Sequence, residues 1–441
     1  MRRRWLIAAG LCALPLLAAG WTDGPAGART AAEQKPVTIT FWSAYTAPHE
    51  LAALQSAFDA FHAKYPRITV KGTGNMNDDK ILAAISSGTP PDAMLSFSPD
   101  NVGKFCSTGA WQNLNDDIAK SKLDMSIFPK AALSFSGYKG NQCSLPALAD
   151  SYGLYYNKAM FKAKGITRAP RTLSELAADA KKLTVRTADG SIKVAGFVPF
   201  GKYYEDSVAG GLVQAYGARW FDSSGKAQLS RDPRWAALLT WQRSLISWYG
   251  YDKLLRFNSV KGDEFSASND FERGKVAMLY DGEWRTAFMA SDKSKVDYGT
   301  APFPAADAAP KQYGSGFTAG NLVAIPKGSK HPDEAWLLIR FLATDTQTMV
   351  DLSNKLRNVP TTAASASSPK IKPDAKFKPF LKIFTNPLST FAPVTPIGQA
   401  YQDLFLIFLS KYEAGKVPDL AKGLQGLDKQ IDDQLSQQST P

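Results

Sequence analysis

The 441-residue chain has only three histidines and three cysteines, which limits the chemistry it can perform. His49 and His62 border the first predicted helix, His331 precedes another, and neither Cys106 nor Cys143 has the context of a catalytic nucleophile. A Ser-His-Asp triad or a histidine-rich zinc site would need partners from distant segments. We therefore expect no catalytic residue, no metal and no cofactor.

Paired carboxylates leave one catalytic alternative open. Asp78-Asp79, Asp116-Asp117 and Glu205-Asp206 are neighbouring acids, and a glycoside hydrolase works with two carboxyl groups. Adjacent acids on helices are usually solvated, and only a perturbed carboxylate in a cleft points to function. We expect a binding protein rather than an enzyme, with a secreted glycoside hydrolase as the alternative.

Long apolar runs are also missing, because no stretch after the N-terminal segment offers the roughly 18 uninterrupted apolar residues of a spanning helix. Residues 1–28 contain three arginines, an apolar run from Trp5 to Gly20 and then small residues, the pattern of a secretory signal peptide. The stretch LAAG resembles the start of a lipoprotein cleavage site, but Trp21 stands where the lipidated cysteine would be. We expect export across the cytoplasmic membrane and a periplasmic or cell-surface location, with the lipid anchor left open.

Basic residues outnumber acidic ones without forming a dense block. The formal charge is +12, or +10 once the three arginines and one aspartate of the signal segment are removed. Such a balance could suit nucleic acid or an anionic polymer. Because the lysines and arginines are scattered, we interpret them as a solvated surface and expect no nucleic-acid partner.

Two cysteines remain in the exported chain, since Cys12 belongs to the signal segment. Cys106 lies on a predicted helix that ends near Gly109, and Cys143 begins a predicted short strand. In an oxidising compartment such a pair favours a disulfide, which is typically worth about 2–4 kcal/mol. Two separate buried thiols are the alternative.

Strand and helix patterns alternate along the chain. VTITFWSAY has the period of a strand, and the next stretch repeats apolar residues at helical spacing up to Pro66. ITVKG and DAMLSF follow as strands with a helix between them, which predicts an α/β fold with a mostly parallel sheet.

Helices dominate the pattern of the second half. They are predicted after Thr172, whose capping box includes Glu175, between Pro233 and Gly250, from Pro332 onward, and over 399–415. Residues 302–316 and 361–376 are rich in Pro, Ala or Ser, and predict a crossover and an exposed connector respectively.

Six stretches in this order carry a resemblance to a known family. They are ITFWSAYTAPHELAALQSAFDAFHAKYP, SSGTPPDAML, LPALADSYGLYYNKAMFKAKGI, RTLSELAADAKKL, FERGKVAMLYDGEW and NLVAIPKGSKHPDEAWLLIRFL. The chain resembles the extracellular solute-binding proteins of family 1, the carbohydrate-binding, maltose-binding-protein-like components of ABC importers.

The resemblance implies a two-lobed, type II periplasmic-binding-protein-like fold with crossing segments between the lobes. Residues 35–148 plus 317–360 would form lobe 1, and residues 149–316 plus 361–436 would form lobe 2. A sugar, in particular an oligosaccharide, would be held in the cleft and delivered to an ABC permease in the membrane. We expect a monomer.

Sugar recognition requires aromatic platforms beside carboxylates and amides, and residues at strand ends supply this mixture. Asp100 and Asn101 resemble the family's charged pair, and Asp150 matches a binding carboxylate. The predicted sugar-binding residues are Tyr45, Asp100, Asn101, Asp150, Tyr203, Asp206, Trp284, Asn321 and Arg357.

Trp284 carries the main prediction of this set. The resemblance implies that its indole stacks on a sugar ring, with Gly282 giving the turn its freedom. The alternative is that Trp284 begins a helix and packs into its own lobe, and for Asn321 and Arg357 it is a hydrogen bond to the backbone. Trp220 and Trp248 fit helical or strand spacing and are predicted to be core. Iron, polyamine or peptide capture remain alternatives to sugar.

Overall fold

A mixed β-sheet forms the framework of the protein. The computed structural model describes residues 35–204 and 208–438. The strands are β1 (Val37–Ser43), β2 (Ile68–Thr73), β3 (Ala93–Ser96), β4 (Gly137–Tyr138), β5 (Asn141–Gln142), β6 (Leu145–Asn157), β7 (Val185–Arg186), β8 (Ile192–Phe197), β9 (Val276–Gly282), β10 (Tyr298–Ala301), β11 (Thr318–Ala324) and β12 (Val359–Pro360).

The sheet has parallel pairs on both sides of a central antiparallel part, and its last strand, β7, pairs antiparallel with β8. Its order is β2-β1-β3-β11-β6-β9-β8-β7, and β10 and β12 also pair with β6. β1 is parallel to β2 and β3, and β8 is parallel to β9. The pairs of β6 with β9, β10, β11 and β12 are antiparallel.

Helices pack around this sheet. They are α1 (Pro48–Lys64), α2 (Asp78–Ser86), α3 (Val102–Thr108), α4 (Asn115–Ser121), α5 (Lys130–Ser134), α6 (Lys158–Ala163), α7 (Leu173–Leu183), α8 (Val208–Tyr216), α9 (Pro233–Tyr249), α10 (Tyr251–Ser259), α11 (Arg285–Ser291), α12 (Pro332–Thr344), α13 (Thr346–Leu356), α14 (Ala363–Ala366), α15 (Lys378–Thr385), α16 (Ala400–Glu413) and α17 (Leu420–Gln438). Within the described residues, none of these helices has the length and apolar character needed to cross a membrane.

The predicted helix boundaries agree with the structure where a capping residue marked them. Thr172 caps α7, its side chain accepting a hydrogen bond from the Glu175 amide at 3.2 Å. Pro332 is the first residue of α12, and α3 ends at Gly109. Local chemistry fixes these ends because the caps satisfy backbone groups that the helix leaves unpaired.

β6 is longer than the sequence pattern suggested. The short strand predicted to begin at Cys143 begins instead at Leu145 and continues to Asn157, so Asp150 lies inside a strand rather than in a loop after one. The reason is pairing along its length: β11 and β12 pair with its first half, and β9 and β10 with its second half. Leu145 to Leu148 pack in a core cluster with β1 and α1, whereas Ala149 to Tyr155 pack in a second cluster with α9.

The connector over 361–376 was predicted to be exposed, but part of it is buried. It includes α14, and Thr361, Thr362 and Ser365 are buried. Thr361 Oγ1 lies 2.9 Å from the Pro146 carbonyl oxygen, and Thr362 Oγ1 accepts a hydrogen bond from the Ser365 amide. Hydroxyl groups that bond to the backbone allow these residues to be buried at little cost.

The predicted disulfide between Cys106 and Cys143 is present, and its two Cα atoms are 5.7 Å apart. The segment 389–398, defined here as the strap, lies against the same region. Phe391 and Val394 of the strap pack on the cluster that contains both cysteines. A Cβ atom on Gly103 would lie 2.2 Å from the Thr395 carbonyl oxygen, so glycine permits this close backbone approach.

Candidate functional site

A cavity of about 620 Å³ opens beside the centre of the sheet. Its walls come from the residues after β3, from β6, from α8 and the residues that follow it, from the start of β11, from the strap and from α16. The aromatic residues that line it are Phe97, Tyr152, Trp220, Phe221, Phe317, Phe391 and Phe405. Both its size and its aromatic character are typical of sites that enclose a small organic ligand.

Two of the aromatic residues that line the cavity differ in how well the protein covers them. Phe97 is 38% exposed and contacts the ring of Tyr45 at a centroid distance of 5.0 Å. Tyr152 is 9% exposed and packs between Tyr280 and Phe317, at 5.6 and 5.4 Å. Phe97 therefore offers free apolar surface to a ligand, while Tyr152 forms a firm part of the wall.

Asp100 supplies the acidic group of the cavity. It lies in the short 3-10 helix Pro99–Asn101 and accepts a hydrogen bond from Gln402 Nε2 at 2.7 Å. Burial raises the pKa of Asp100 to about 6, and the nearby carboxylates of Asp78 and Asp403 add to the rise. Gln399 and Arg219 also line the cavity. Together these residues can donate and accept hydrogen bonds with a polyhydroxylated ligand.

A buried polar network lies next to this wall. Tyr45 donates its hydroxyl hydrogen to Asn321 Oδ1 at 3.3 Å, and Asn321 Nδ2 lies 3.1 and 3.2 Å from the two carboxylate oxygens of Asp150. Asn358 donates both to Asp150 and, at 3.1 Å, to Glu283 Oε1. We call these five residues the central network. It ties β6, β11 and the ends of β1 and β9 into one unit.

Burial dominates the electrostatics of the central network. The pKa of Glu283 lies well above its ordinary value, first because the group is buried and then because Asp150 is close. The pKa of Tyr45 is raised for the same main reason, with smaller contributions from Glu50, Asp150 and Glu283. Among the described residues, the central network included, no group of three or more His, Cys, Asp or Glu side chains has the arrangement of a metal site.

The family of the chain follows from a match over most of its length. The family model for the bacterial extracellular solute-binding protein covers residues 47–349, which is more than half of the chain. The chain belongs to this family.

Relatives and solved structures agree with that assignment. This solute-binding protein is 26% identical over 347 residues to the maltooligosaccharide ABC transporter solute-binding lipoprotein of Streptococcus pneumoniae R6, covering 77% of this chain and 76% of the relative. It is 22% identical over 330 residues to the maltotriose-binding protein of Pyrococcus abyssi, covering 74% and 67%. The solved structure of CpMnBP1 with mannotriose bound matches with a TM-score of 0.79 and 26% identity, covering 89% of this chain and 99% of that one. The predicted α/β fold of the type II periplasmic-binding-protein kind is therefore confirmed.

Among the predicted site residues that the structure describes, Asp100 lines the cavity and three others belong to the central network. Tyr45, Asp150 and Asn321 come together there although they are up to 276 positions apart in the sequence. Their polar atoms bond to each other in this structure, and direct contact with a sugar stays a prediction for them.

Trp284 lies one ring away from the cavity. It immediately precedes α11, is partly buried, and packs edge-on against Tyr152, with ring centroids 5.1 Å apart. Gly282 has a role other than the predicted freedom of a turn, because it is the last residue of β9 and a Cβ atom there would lie 2.1 Å from the Trp284 indole. Sugar stacking on Trp284 stays a prediction, and the cavity wall next to it is the ring of Tyr152.

The other predicted residues do not line the cavity. Asn101 bonds to Asp78 at 3.2 Å, and Tyr203 donates its hydroxyl hydrogen to Asp270 at 2.6 Å. Arg357 lies at the end of α13, where its guanidinium donates to the Lys372 carbonyl oxygen at 2.8 Å and also bonds to Asp374. Asp206 lies outside the described residues.

Several cavity residues were not predicted from the sequence. Trp220, predicted as core, is partly buried and also lines the cavity, as do Phe97, Phe221, Arg219 and Gln402. A weak signal existed for Trp220 and Phe221, because two adjacent aromatics follow the end of α8 in a short polar loop. For Gln402 no local signal existed, since it lies on a helix more than 300 residues from its partner Asp100.

Proposed function

We propose that this solute-binding protein captures an oligosaccharide in the ring-lined cavity and delivers it to the permease of an ABC importer. The observation that carries the proposal is the combination of seven aromatic side chains with Asp100, Gln399, Gln402 and Arg219 around about 620 Å³. Aromatic faces match the C–H faces of pyranose rings, and the polar groups match the hydroxyls.

The ligands of similar proteins support an oligosaccharide rather than another solute. The Streptococcus pneumoniae relative is described as a maltooligosaccharide binder, the Pyrococcus abyssi relative as a maltotriose binder, and CpMnBP1 has mannotriose bound. A cavity of about 620 Å³ lies within the range that encloses ligands of this size.

Ligand capture would involve two lobes, 35–148 plus 317–360 and 149–316 plus 361–436. The division of the core along β6 supports this boundary, because the residues on either side of Ala149 pack into different clusters. A sugar that bonds to both Asp100 and the residues after α8 would favour the closed arrangement through its differential contacts. Delivery to a membrane permease and a monomeric state belong to the same proposal.

The test is a thermal-shift screen followed by calorimetry. Maltotriose, mannotriose, diacetylchitobiose and their monosaccharides would be added to the purified mature chain. A bound sugar raises the melting temperature by mass action, and a micromolar ligand requires about −8.2 kcal/mol of binding free energy. The proposal fails if no sugar in a broad panel raises the melting temperature. Binding that collapses with rising salt would instead indicate an anionic polymer.

A hydrolase is the alternative that the same experiment addresses. Glycoside hydrolases use two carboxyl groups on either side of the scissile bond, whereas of the described residues that line the cavity, Asp100 alone carries a carboxylate. The sugar recovered after incubation should therefore be unchanged in length. Shorter products, detected by chromatography, would favour the hydrolase.

Export would be directed by residues 1–28, which lie outside the described residues. We propose that the mature protein acts on the outer side of the cytoplasmic membrane. Mass spectrometry of the N-terminal peptide from the native protein would show whether cleavage occurs after residue 28 and whether a lipid is attached.

A further inference from the structure

Gln214 on α8 is a polar side chain that is only 4% exposed. The helix is apolar on either side of it, with the sequence AGGLV before it and AY after it. Glutamine is seldom buried to this extent unless its amide group is hydrogen-bonded, because an unpaired amide in the interior loses its bonds to water. The partners of this amide therefore show which parts of the chain Gln214 holds together.

The partners of Gln214 lie in two segments beside the cavity. Its Nε2 donates to Ser315 Oγ at 2.6 Å and to the Leu388 carbonyl oxygen at 2.7 Å. Its Oε1 accepts a hydrogen bond from Thr390 Oγ1. A longer contact of 3.2 Å joins Nε2 to Gln312 Oε1. Both hydrogens of the amide nitrogen and the carbonyl oxygen are thus in use, and they connect α8 to the residues before β11 and to the start of the strap.

These two segments are also bonded to each other. The Thr318 N–H donates to the Thr390 carbonyl oxygen at 2.7 Å, and the Thr390 N–H donates to the Gly316 carbonyl oxygen at 3.1 Å. Phe317 and Phe391, one from each segment, line the cavity. We call residues 315–318 and 388–391 the ring wall, because they form one bonded unit that carries two of the cavity's aromatic rings.

The helix that carries Gln214 is itself a neighbouring part of the cavity wall. Ala209, Gly210 and Val213 of α8 line the cavity. Gly210 lies four residues before Gln214, so both are on the same side of the helix. A Cβ atom on Gly210 would lie 3.6 Å from the Phe317 ring, which places this ring directly against α8. The amide of Gln214 therefore fixes the spacing between α8 and the ring wall.

We propose that Gln214 is a positioning residue of the proposed sugar site, which holds the rings of Phe317 and Phe391 at the spacing from α8 that a bound sugar requires. Gln214 itself does not line the cavity, so it acts through these rings. Its effect on sugar affinity rests on the proposed function. Its effect on the order of the ring wall does not depend on any ligand.

Hydrogen exchange of Gln214→Ala, followed by mass spectrometry without sugar, tests the ligand-independent part. The substitution removes the partner of Ser315 Oγ and of the Leu388 carbonyl oxygen, so the ring wall should open more often. Peptides that contain the Thr318 and Thr390 amides should exchange about tenfold faster than in the wild type, since a polar group left unpaired is costly. Unchanged exchange of the ring wall overturns the proposal.

Gln142→Ala is the matched control. Gln142 Nε2 also donates to two backbone carbonyl oxygens, of Ser136 at 3.1 Å and of Ser144 at 2.8 Å, but Gln142 does not line the cavity. In Q142A the faster exchange should be confined to peptides over 136–144. Faster exchange of the ring wall in this control as well would contradict a specific role of Gln214.

Calorimetry with the tightest sugar of the panel tests the effect on binding, at a temperature at which every variant is folded. The dissociation constant of Q214A should rise about 3-fold to 10-fold, because the sugar must restore the spacing of the ring wall when it binds. Q142A should bind as tightly as the wild type. An affinity of Q214A within about twofold of the wild type, despite faster exchange, overturns the role in the sugar site.

A double-mutant cycle shows whether Gln214 acts through the ring wall. In Phe391→Ala one of the positioned rings is absent, so adding Q214A should weaken binding less than it does in the wild type. In Phe97→Ala the missing ring lies after β3, outside the ring wall, so Q214A should have its full effect. Equal effects of Q214A in the two backgrounds contradict the proposal.

Two further outcomes keep the inference separate from the proposed function and from a folding defect. If the wild type binds no sugar while the ring wall of Q214A exchanges faster, the proposed function fails and the positioning of the ring wall stands. Ser315→Ala covers the case in which Q214A does not fold, because it removes one acceptor of the amide and leaves the Leu388 carbonyl oxygen. Exchange of the ring wall should then increase by a smaller factor, and unchanged exchange in S315A contradicts the proposal.

Discussion

Substitution of Phe97 is the most direct test of whether a sugar binds in the ring-lined cavity. Phe97 lines the cavity, is 38% exposed and contacts Tyr45 on its other side. We expect a bound sugar to cover its exposed part, so that Phe97→Ala weakens sugar binding. The change leaves Asp100, Gln402 and the central network in place, since none of their hydrogen bonds involves the Phe97 side chain.

The size of the effect follows from the exposed area. A phenylalanine side chain presents about 200 Å² of apolar surface, of which 38% is roughly 75 Å². At about 25 cal/mol per Å², full coverage by the sugar contributes about 1.9 kcal/mol, and half coverage contributes about 1 kcal/mol. The dissociation constant of F97A should therefore rise about 5-fold to 25-fold.

Trp248→Ala is the matched control for this measurement. Trp248 is 39% exposed, nearly the same as Phe97, but it lies near the end of α9, beside Lys181 and Arg186, and does not line the cavity. Calorimetry with the tightest sugar of the panel should show weaker binding in F97A and unchanged binding in W248A. An unchanged dissociation constant in F97A, or equal losses in both variants, would refute the assignment of this cavity as the sugar site.

Three further changes test other parts of the structure. Replacing Cys106 and Cys143 by serine should lower the free energy of unfolding in guanidinium chloride by about 2–4 kcal/mol, because the unfolded chain loses a cross-link, while sugar affinity stays the same. Gly282→Ala should displace the Trp284 indole, which lies 2.1 Å from the new Cβ position, lowering stability by about 1–3 kcal/mol and changing tryptophan fluorescence. Sugar affinity of the wild type should rise as the pH increases through about 6, the pKa to which burial raises Asp100, because the ionised carboxylate accepts hydroxyl hydrogens more strongly. Asp100→Asn should abolish this rise.

Each of these expectations has an outcome that contradicts it. Equal unfolding curves with and without the cysteines would mean that the disulfide does not stabilise the native state. Unchanged fluorescence and stability in G282A would show that the indole is not held against the backbone. For Asp100, stability and sugar affinity should respond to pH in opposite directions. Folding raises the pKa of this carboxyl group from 3.8 to about 6, so the free energy of unfolding decreases as the pH rises through this range. Sugar affinity should increase over the same range. A wild-type protein without either pH response would exclude a titrating Asp100 from the site.

Local chemistry made much of the fold predictable. Thr172, Pro332 and Gly109 mark helix ends through interactions with backbone groups a few residues away, and the structure has these ends where the sequence placed them. The pair of cysteines was predictable because only two remained in an exported chain. The helix ends were predictable because the interacting groups are close in the sequence, and the disulfide was predictable because only two cysteines could form it.

The rest depends on contacts between distant segments. Asp150 was expected in a loop because an aspartate interrupts an apolar strand pattern, yet Asn321 and Asn358, 171 and 208 positions away, satisfy its carboxylate inside β6. Trp248 has helical spacing and was predicted as core, but it is 39% exposed and lies beside the cations of Lys181 and Arg186. Periodicity in the sequence shows which residues lie on the same face of a helix or strand. It does not show which distant residues contact that face.

The same limit explains why the sequence singled out Trp284, which is partly buried, rather than Phe97, which is 38% exposed. The family pattern drew attention to Trp284 because a large aromatic after a buried strand needs cover. In this structure Tyr152 provides that cover edge-on, and the close approach to Gly282 accommodates the indole. Phe97 is the last residue of the predicted strand DAMLSF and was not predicted to bind sugar, yet it retains the exposed apolar area that a sugar could bury. The binding free energy available from ring contacts therefore depends on which aromatic surface the folded chain leaves uncovered, and exposure in the folded protein is a better guide to it than position in a motif.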